Sequence, residues 1–446
     1  MKFVVIGGDA AGMSAASKAK RNNPNLEVIV LEATRDVSYS ACGMPYNISD
    51  PNRVMDDLIV RSADVFRSKQ GIDLMTGHNV IKIDKSNKKI SYEAVNGQAG
   101  EIQYDKLLVA TGARPIRPAI PGIDLEGVLV LKSLQHGRII KEFLKKSAPQ
   151  KVLIVGMGYI GLEMAEAFHT LGMSITMIKP SPRLLAFLPE KMADVVKQEL
   201  TQKGVKCLPG VGIQAIDVDG DRLKAQTSSG DIQADLILIC VGVVPNSEMA
   251  AEAGLELGPK KSIAVDRRLL TSDRDIFSAG DCADAFHVIT GKKVWVPLAL
   301  RANRAGWAVA DNVTGGNVEL SGIMGTAVFK VLDLEVGRTG LSLEEASSEG
   351  YDAVQEMIQS RSRAHSHPGN QTIFVNLVAD RKTGKLLGGS MVGKEGVAHR
   401  IDAIAVALHA GMTVERFFQC DMAYAPPFSP VWDPMLTAAN QLLKKL

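Results

Sequence analysis

The sequence predicts an α/β fold: two units built on mostly parallel sheets, the second inserted into the first, followed by a smaller α+β domain. Three observations carry this. KFVVIGGDAAGMSAASKAKR (2–21) reads as a buried strand, a glycine turn and a helix, with LEVIVLE (26–32) as the next strand. KVLIVGMGYIGLEMAEAFHTLG (151–172) repeats the design and is followed by the strand SITMIK (174–179). DKLLVATGARP (105–115) and LILICVGVVPN (236–246) close the two units in the same manner, and SDRDIFSAGDCADA (272–285) returns to the first. The expected divisions are 1–115 and 249–324 for the first unit, 116–248 for the second and 325–446 for the last domain.

Each glycine turn has a chemical reading. Gly7, Gly8 and Gly12 sit between a strand and a helix, where small residues let the backbone approach a pyrophosphate resting on the helix N-terminus. Glu32, closing the second strand, is placed to hydrogen-bond a ribose. Asp9 stands where the middle glycine of G-x-G-x-x-G is usual, and an acid beside a pyrophosphate is unfavourable unless it points away or meets a cation. The second turn is intact, with Gly156, Gly158 and Gly161. A lone match of this kind is often an ordinary turn, but here both have a strand before and a helix after. The units are therefore Rossmann-like dinucleotide-binding domains, and two dinucleotides in one chain suggest electron transfer between them. Thr111 and Gly112 follow the third strand of the first unit. Gly280 and Asp281 end the returning strand; the aspartate suits sugar-like hydroxyls, with a helix N-cap as the competing reading.

Composition narrows the class. Hydrophobic residues make up 46% and charged residues 22%, as in ordinary globular proteins. With 51 basic and 49 acidic side chains the net charge is +2, which gives no reason to expect nucleic acid or an anionic membrane as partner. No apolar run approaches the roughly 20 residues of a membrane span. The start, MKFVVIGGDAAG, has an early lysine and an apolar stretch, but its paired glycines fit a strand and turn better than a signal peptide. Five scattered cysteines argue against a disulfide framework and for a reducing, cytoplasmic setting.

Among those cysteines Cys42 is distinct. It lies in SYSACGMPYNI (38–48), between a strand and a helix, with no second cysteine or histidine at metal-ligand or redox-pair spacing. A cysteine at a helix start feels the positive end of the dipole, which favours the thiolate, and Pro45 fits only the first turn of such a helix. A buried, inert cysteine is the competing reading. Cys207 and Cys240 lie in apolar runs that read as core. Beyond residue 325 the pattern changes to strands, a hairpin and a helix without a third phosphate loop. YAPPFSPVWDP (424–434) is excluded from a helix interior or central strand, and its aromatics suit an interface or a lid.

Taken together, the two glycine turns, Glu32, ATGARP, GMGYIGLE, GVVPN and FSAGD resemble the FAD-dependent pyridine nucleotide–disulfide oxidoreductases over essentially the whole chain. SYSACGMPY and YAPPFSPVWDP are similar to the single-cysteine branch that includes coenzyme A disulfide reductases and coenzyme A persulfide or polysulfide reductases. The resemblance implies FAD in the first unit, NAD or NADP in the second, and a C-terminal dimerisation domain completing a homodimer. Cys42 would be the redox-active cysteine, forming a mixed disulfide with a small thiol such as coenzyme A. Ser14, Lys18 and Arg21, which share a helix face, and Ser38 match coenzyme A contacts; a solvated polar face is the bland alternative. Tyr159 matches an aromatic covering the nicotinamide pocket, and Tyr424 a tyrosine reaching the partner's site. Where the family carries two tyrosines before Pro-Gly, this chain has RAHSHPGN, with Ser366 and His367. No metal and no fused sulfur-transfer domain behind Leu446 are expected. Lys179, ending the second strand of the second unit, suits a ribose 2′-phosphate, so NADPH is expected to serve at least as well as NADH. The rivals are an NAD(P)H oxidase or peroxidase cycling Cys42 through sulfenic acid, disfavoured by Asp9-Ala10-Ala11 where those relatives place a histidine, and a redox carrier docking a protein partner.

Overall fold

The computed structural model describes residues 1–446, which form two compact units. The first comprises Met1–Ile116, Lys132–Ile139 and Val243–Ile323. Its centre is a five-stranded parallel sheet in the order Ile276–Ser278, Lys106–Val109, Lys2–Ile6, Glu27–Glu32, Asp73–Thr76. Phe3, Val4, Val5 and Ile6 are all buried, so the strand presents apolar side chains on both faces, as a covered parallel sheet requires. One face is covered by helix Ala10–Asn22, which buries Ala11, Ala15, Ala16 and Ala19. Helix Ala299–Val313 packs on it so closely that a Cβ on Gly306 would lie 2.3 Å from the Ala11 carbonyl oxygen. An antiparallel sheet of His78–Asp84, Lys89–Ala94 and Ala99–Gln103 completes this unit.

The second unit comprises Arg117–Leu131, Ile140–Gly242 and Met324–Leu446. It holds a second parallel sheet, in the order Lys206–Pro209, Ser174–Lys179, Lys151–Val155, Leu236–Ile239, Val128–Val130. It also holds an antiparallel sheet in the order Ala327–Val331, Leu334–Gly340, Leu386–Gly393, Thr372–Asp380, Ala353–Arg361, packed against helix Val397–His409. The chain beyond 325 therefore shares a unit with the second dinucleotide fold. Glu166 accepts from Lys330 Nζ and from the Leu332 amide, both at 3.1 Å, and the Tyr159 ring lies 4.6 Å from Phe329.

Two short segments expected in the second fold belong to the first unit, for reasons of pairing. Lys132 is held by Asp281 at 2.9 Å, and Arg138 by Asp36 at 2.7 Å and Asp56 at 2.6 Å. Val243–Pro245 pairs antiparallel with Ala113–Pro115, and Arg114 grips Glu248. The proline-rich stretch 424–434 is neither helix nor strand until Pro434, which opens helix Pro434–Leu443 under an Asp433 cap. No helix is long and apolar enough to cross a membrane.

Candidate active site

Cys42 sits at the middle of a single 3-10 turn, Ala41–Gly43, that runs into the helix Met44–Ile48. Its approach is pinned on two sides. The Ser38 amide donates to the Gly8 carbonyl at 3.1 Å, and the Ser38 carbonyl accepts from the Val60 amide at 2.8 Å. The Ser40 amide donates to Leu58 O at 2.8 Å, and Asn47 Nδ2 reaches Val54 O at 2.9 Å. Ser38 itself is held at φ +47°, a left-handed conformation seldom taken by a non-glycine residue. The side chain of Cys42 is exposed, not buried as the inert reading required. The helix after it has only five residues, so its dipole is much smaller than a full helix would supply; Pro45 lies in its first turn, as expected. Burial pushes the Cys207 and Cys240 thiols up to about 11 and about 12, which leaves them protonated. Cys282 is buried against Val109 O at 3.4 Å.

The first glycine turn lies directly beside this segment. A Cβ on Gly7 would meet Ala110 O at 2.2 Å, and one on Gly12 would meet Gly7 O at 1.9 Å, so the strands and helix close only around glycine. Glu32 Oε2 accepts from the Gly8 amide at 2.7 Å and Oε1 from the Thr34 amide at 2.8 Å, so the carboxylate also braces the turn. Thr111 Oγ1 donates to Asn246 O at 2.5 Å, Asn246 Nδ2 returns to Thr111 O at 2.8 Å, and the Asn246 amide meets Gly112 O at 3.0 Å. No helix follows Asp281, which removes the N-cap reading. Its carboxylate instead accepts from Lys132, and the buried guanidinium of Arg301 fixes the loop by donating to Gly280 O and Ala283 O at 3.0 Å.

This setting suits an FAD. The first amides of helix Ala10–Asn22 have no partners within the helix. The Asp9 cap leaves them without a side-chain acceptor, and one Asp9 carboxylate oxygen is itself buried and unpartnered at that end.

In the second unit Gly156 and Gly161 repeat the close approach: their Cβ atoms would meet Cys240 O at 2.2 Å and Gly156 O at 2.3 Å. A Cβ on Gly158 would meet nothing within 4 Å, and the residue is exposed, so its backbone is open on that side. Tyr159 opens helix Tyr159–Thr170, its ring between Phe329 and Phe187, and burial raises its phenol. Lys179 Nζ donates to Arg183 O at 2.9 Å and Leu184 O at 3.1 Å, and burial lowers its ammonium. Arg183 is paired with Glu344. Two donors of the expected 2′-phosphate reader are thus engaged with their own loop.

Ser14 donates to Asn303 at 2.7 Å and Lys18 pairs with Asp311 at 3.3 Å, while Arg21 is exposed on the same face. Tyr424 is exposed; the His367 ring contacts Pro368 O, and Ser366 is exposed. The first unit thus gathers Gly7, Gly8, Gly12, Glu32, Ser38, Cys42, Thr111, Gly112, Gly280 and Asp281. Sequence reading missed Lys132, Asn246 and Arg301. The N of GVVPN was the one available signal among these; Lys132 and Arg301 lie in unremarkable sequence.

Two nucleotide folds with an exposed thiol pinned to the first glycine turn define a nucleotide-dependent redox flavoprotein. The chain belongs to the pyridine nucleotide-disulphide oxidoreductase family, which residues 1–306 match, with its dimerisation domain matching residues 326–435. It is 39% identical over 444 residues to a protein of Pyrococcus horikoshii named NAD(P)H coenzyme A polysulfide/persulfide reductase, covering 99% of this chain and 98% of that one. It is 33% identical over 448 residues to a Methanocaldococcus jannaschii protein named NADH oxidase, covering 100% and 99%. Among solved structures, an NAD-dependent persulfide reductase from A. fulgidus superposes with a TM-score of 0.96 at 36% identity, covering all of this chain and 83% of that one.

Proposed function

We propose that this enzyme uses NAD(P)H to reduce a sulfur–sulfur bond in a small persulfide, polysulfide or disulfide carried on coenzyme A, with Cys42 as the thiol that meets the substrate. The observation that carries this reading is the exposed Cys42 thiol, fixed by backbone bonds from Ser38 and Ser40 beside the first glycine turn. The Cys42 thiolate attacks one sulfur, the substrate S–S bond breaks, and the leaving thiolate takes a proton. The resulting mixed disulfide on Cys42 accepts two electrons, ultimately from NAD(P)H, and releases the second thiol. Gly7, Gly8, Gly12, Glu32, Thr111, Gly112, Gly280, Asp281 and Lys132 would hold FAD, which when bound would supply the passage of electrons between the nicotinamide and Cys42. Gly156, Gly158, Gly161, Tyr159 and Lys179 hold the nucleotide donor. Ser14, Lys18, Arg21 and Ser38 meet the coenzyme A moiety, and Tyr424 serves the site of a homodimeric partner.

The deciding experiment is mass spectrometry of the untreated, non-reduced protein, coupled to anaerobic NADH and NADPH oxidation assays. A coenzyme A adduct on Cys42 and turnover of coenzyme A persulfide or disulfide are expected. Donor oxidation that requires oxygen, with no sulfur substrate used, would favour the oxidase reading that the M. jannaschii relative's name keeps in view.

A further inference from the structure

The paired helices Ala10–Asn22 and Ala299–Val313 carry an exposed ring that the reading above does not use. Of the three tryptophans, Trp295 donates its indole N–H to Asp281 O at 2.8 Å and Trp432 stacks on Phe418. Trp307 does neither and leaves 52% of its surface exposed. Its neighbour Gly306 brings it to the helix seam. A Cβ on Gly306 would lie 2.3 Å from the Ala11 carbonyl oxygen and 3.0 Å from Ser14 Cβ, so the two helices run in contact there.

Asn303, Trp307 and Asp311 are spaced four apart, as are Ser14 and Lys18, so each set follows one line along its helix. Ser14 donates to Asn303 at 2.7 Å and Lys18 pairs with Asp311 at 3.3 Å. The indole therefore stands between these two bonds, at the edge of the Ser14–Lys18 face. A single exposed apolar side chain needs no explanation, but this one lies among cations. Arg304 precedes it by three residues and Arg21 follows Lys18 by three; both are exposed, and neither has a carboxylate partner in the chain. The acid of the seam, Asp311, is already engaged by Lys18 and by Asn22 Nδ2 at 2.7 Å. A flat apolar ring beside unpaired guanidinium groups suits a base that carries phosphates.

We propose that Trp307 is the platform on which the adenine of coenzyme A stacks, with Arg21 and Arg304 meeting its phosphates. This rests on the coenzyme A reading above and names the residue that recognises the nucleotide end of the carrier. The spacing agrees with it. The start of helix Ala10–Asn22 is tied to the Cys42 segment, because the Ser38 amide donates to Gly8 O at 3.1 Å. At 1.5 Å per residue, Lys18 and Arg21 lie about 12 and 16 Å along the axis from Ala10. A slender arm can thus run along the helix from the thiol to the nucleotide.

The test is isothermal titration of the FAD-bound enzyme with 3′-phosphoadenosine 5′-diphosphate, which carries the nucleotide and no sulfur. Trp307→Leu is expected to weaken its binding about tenfold, and Trp307→Phe, which keeps a ring, by less. Arg21→Gln and Arg304→Gln should weaken it too, and most at low salt. In steady-state assays, kcat/KM for coenzyme A persulfide relative to that for pantetheine persulfide should fall about tenfold in Trp307→Leu, with the loss in KM. Nucleotide binding by Trp307→Leu equal to wild type, or equal losses with the two persulfides, would overturn the proposal. So would a wild-type dimer that Trp307→Leu converts to monomer in sedimentation, since a second copy would then cover the ring. Circular dichroism verifies folding, and should Trp307→Leu not fold, Trp307→Gln is measured in its place. If the sulfur-reductase reading failed, no persulfide would turn over, yet the titration would still report on the platform. If the platform alone failed, coenzyme A persulfide would turn over undiminished in Trp307→Leu.

Discussion

Cys42 is exposed, but the backbone leading to it is fixed, because Ser38, Ser40 and Gly43 are each hydrogen-bonded within the turn or to its neighbours. A thiol in that position reaches a substrate without carrying a flexible loop with it. Cys42→Ser should therefore abolish reduction of persulfide and disulfide substrates while flavin bleaching by NAD(P)H persists in anaerobic stopped-flow. Disulfide turnover at the wild-type rate in the variant would sink the mechanism. Lys179 makes a subtler case. Two of its three donors hold the carbonyls of Arg183 and Leu184, so one remains for a ribose phosphate. A single charge-assisted bond is worth about 1.5–3 kcal/mol, or roughly tenfold and upward in selectivity. Lys179→Ala is expected to lower kcat/KM for NADPH about tenfold more than for NADH. Equal losses with both donors would show that the lysine only shapes its loop.

At the scale of elements, the stretch 424–434 lacks regular structure yet is anchored. Arg400, on helix Val397–His409, donates through Nε to Asp433 at 2.9 Å and through another nitrogen to Phe428 O at 3.2 Å. Both side chains of the pair are about nine-tenths buried, with 9% and 10% of their surface exposed. Removing one partner leaves an uncompensated buried charge, which costs about 3–5 kcal/mol. Asp433 also caps helix Pro434–Leu443 through the Met435 amide at 2.9 Å, a contribution of about 1 kcal/mol. Asp433→Ala should thus lower stability in urea unfolding by about 3–5 kcal/mol, and Asp433→Asn by less, since the amide keeps the cap. A loss below about 1 kcal/mol for alanine, no more than the cap alone, would show that the strap does not depend on the pair. The prolines signalled the irregular strap, but its anchor depends on an arginine 33 residues away in sequence, for which no local pattern exists.

At the scale of the whole molecule, the anchored strap exposes Phe428 at 77%, Val431 at 67% and Trp432 at 60%, with Phe418 stacked on Trp432 at 5.8 Å. A contiguous exposed apolar patch of this kind marks an interaction surface, and it lies in the part of the chain that matches the family's dimerisation domain. Wild type is expected to sediment as a homodimer, and Phe428→Glu combined with Trp432→Glu as a monomer that retains FAD but loses turnover. Tyr424→Phe should remain dimeric and flavin-bound with substrate turnover lost. A wild-type monomer with full activity would rule out a shared site.

Sequence alone determined the two glycine turns, the strands around them and the isolation of Cys42. These are local matters, in which a backbone that must pass within about 2 Å of where a Cβ would stand admits only glycine. It determined as well that the proline-rich strap could be neither a helix interior nor a central strand. Tertiary structure decided which distant charges complete those local frames. Lys132 reaches Asp281 across 149 residues, Arg301 closes the loop behind it, and Arg138 binds two aspartates at once. It also decided that the helix behind Cys42 stops after five residues and that Lys179 is bonded to its own loop. Ion pairs and buried donors have no periodicity and no fixed spacing; they are specified only when the sheets and helices that carry them have packed.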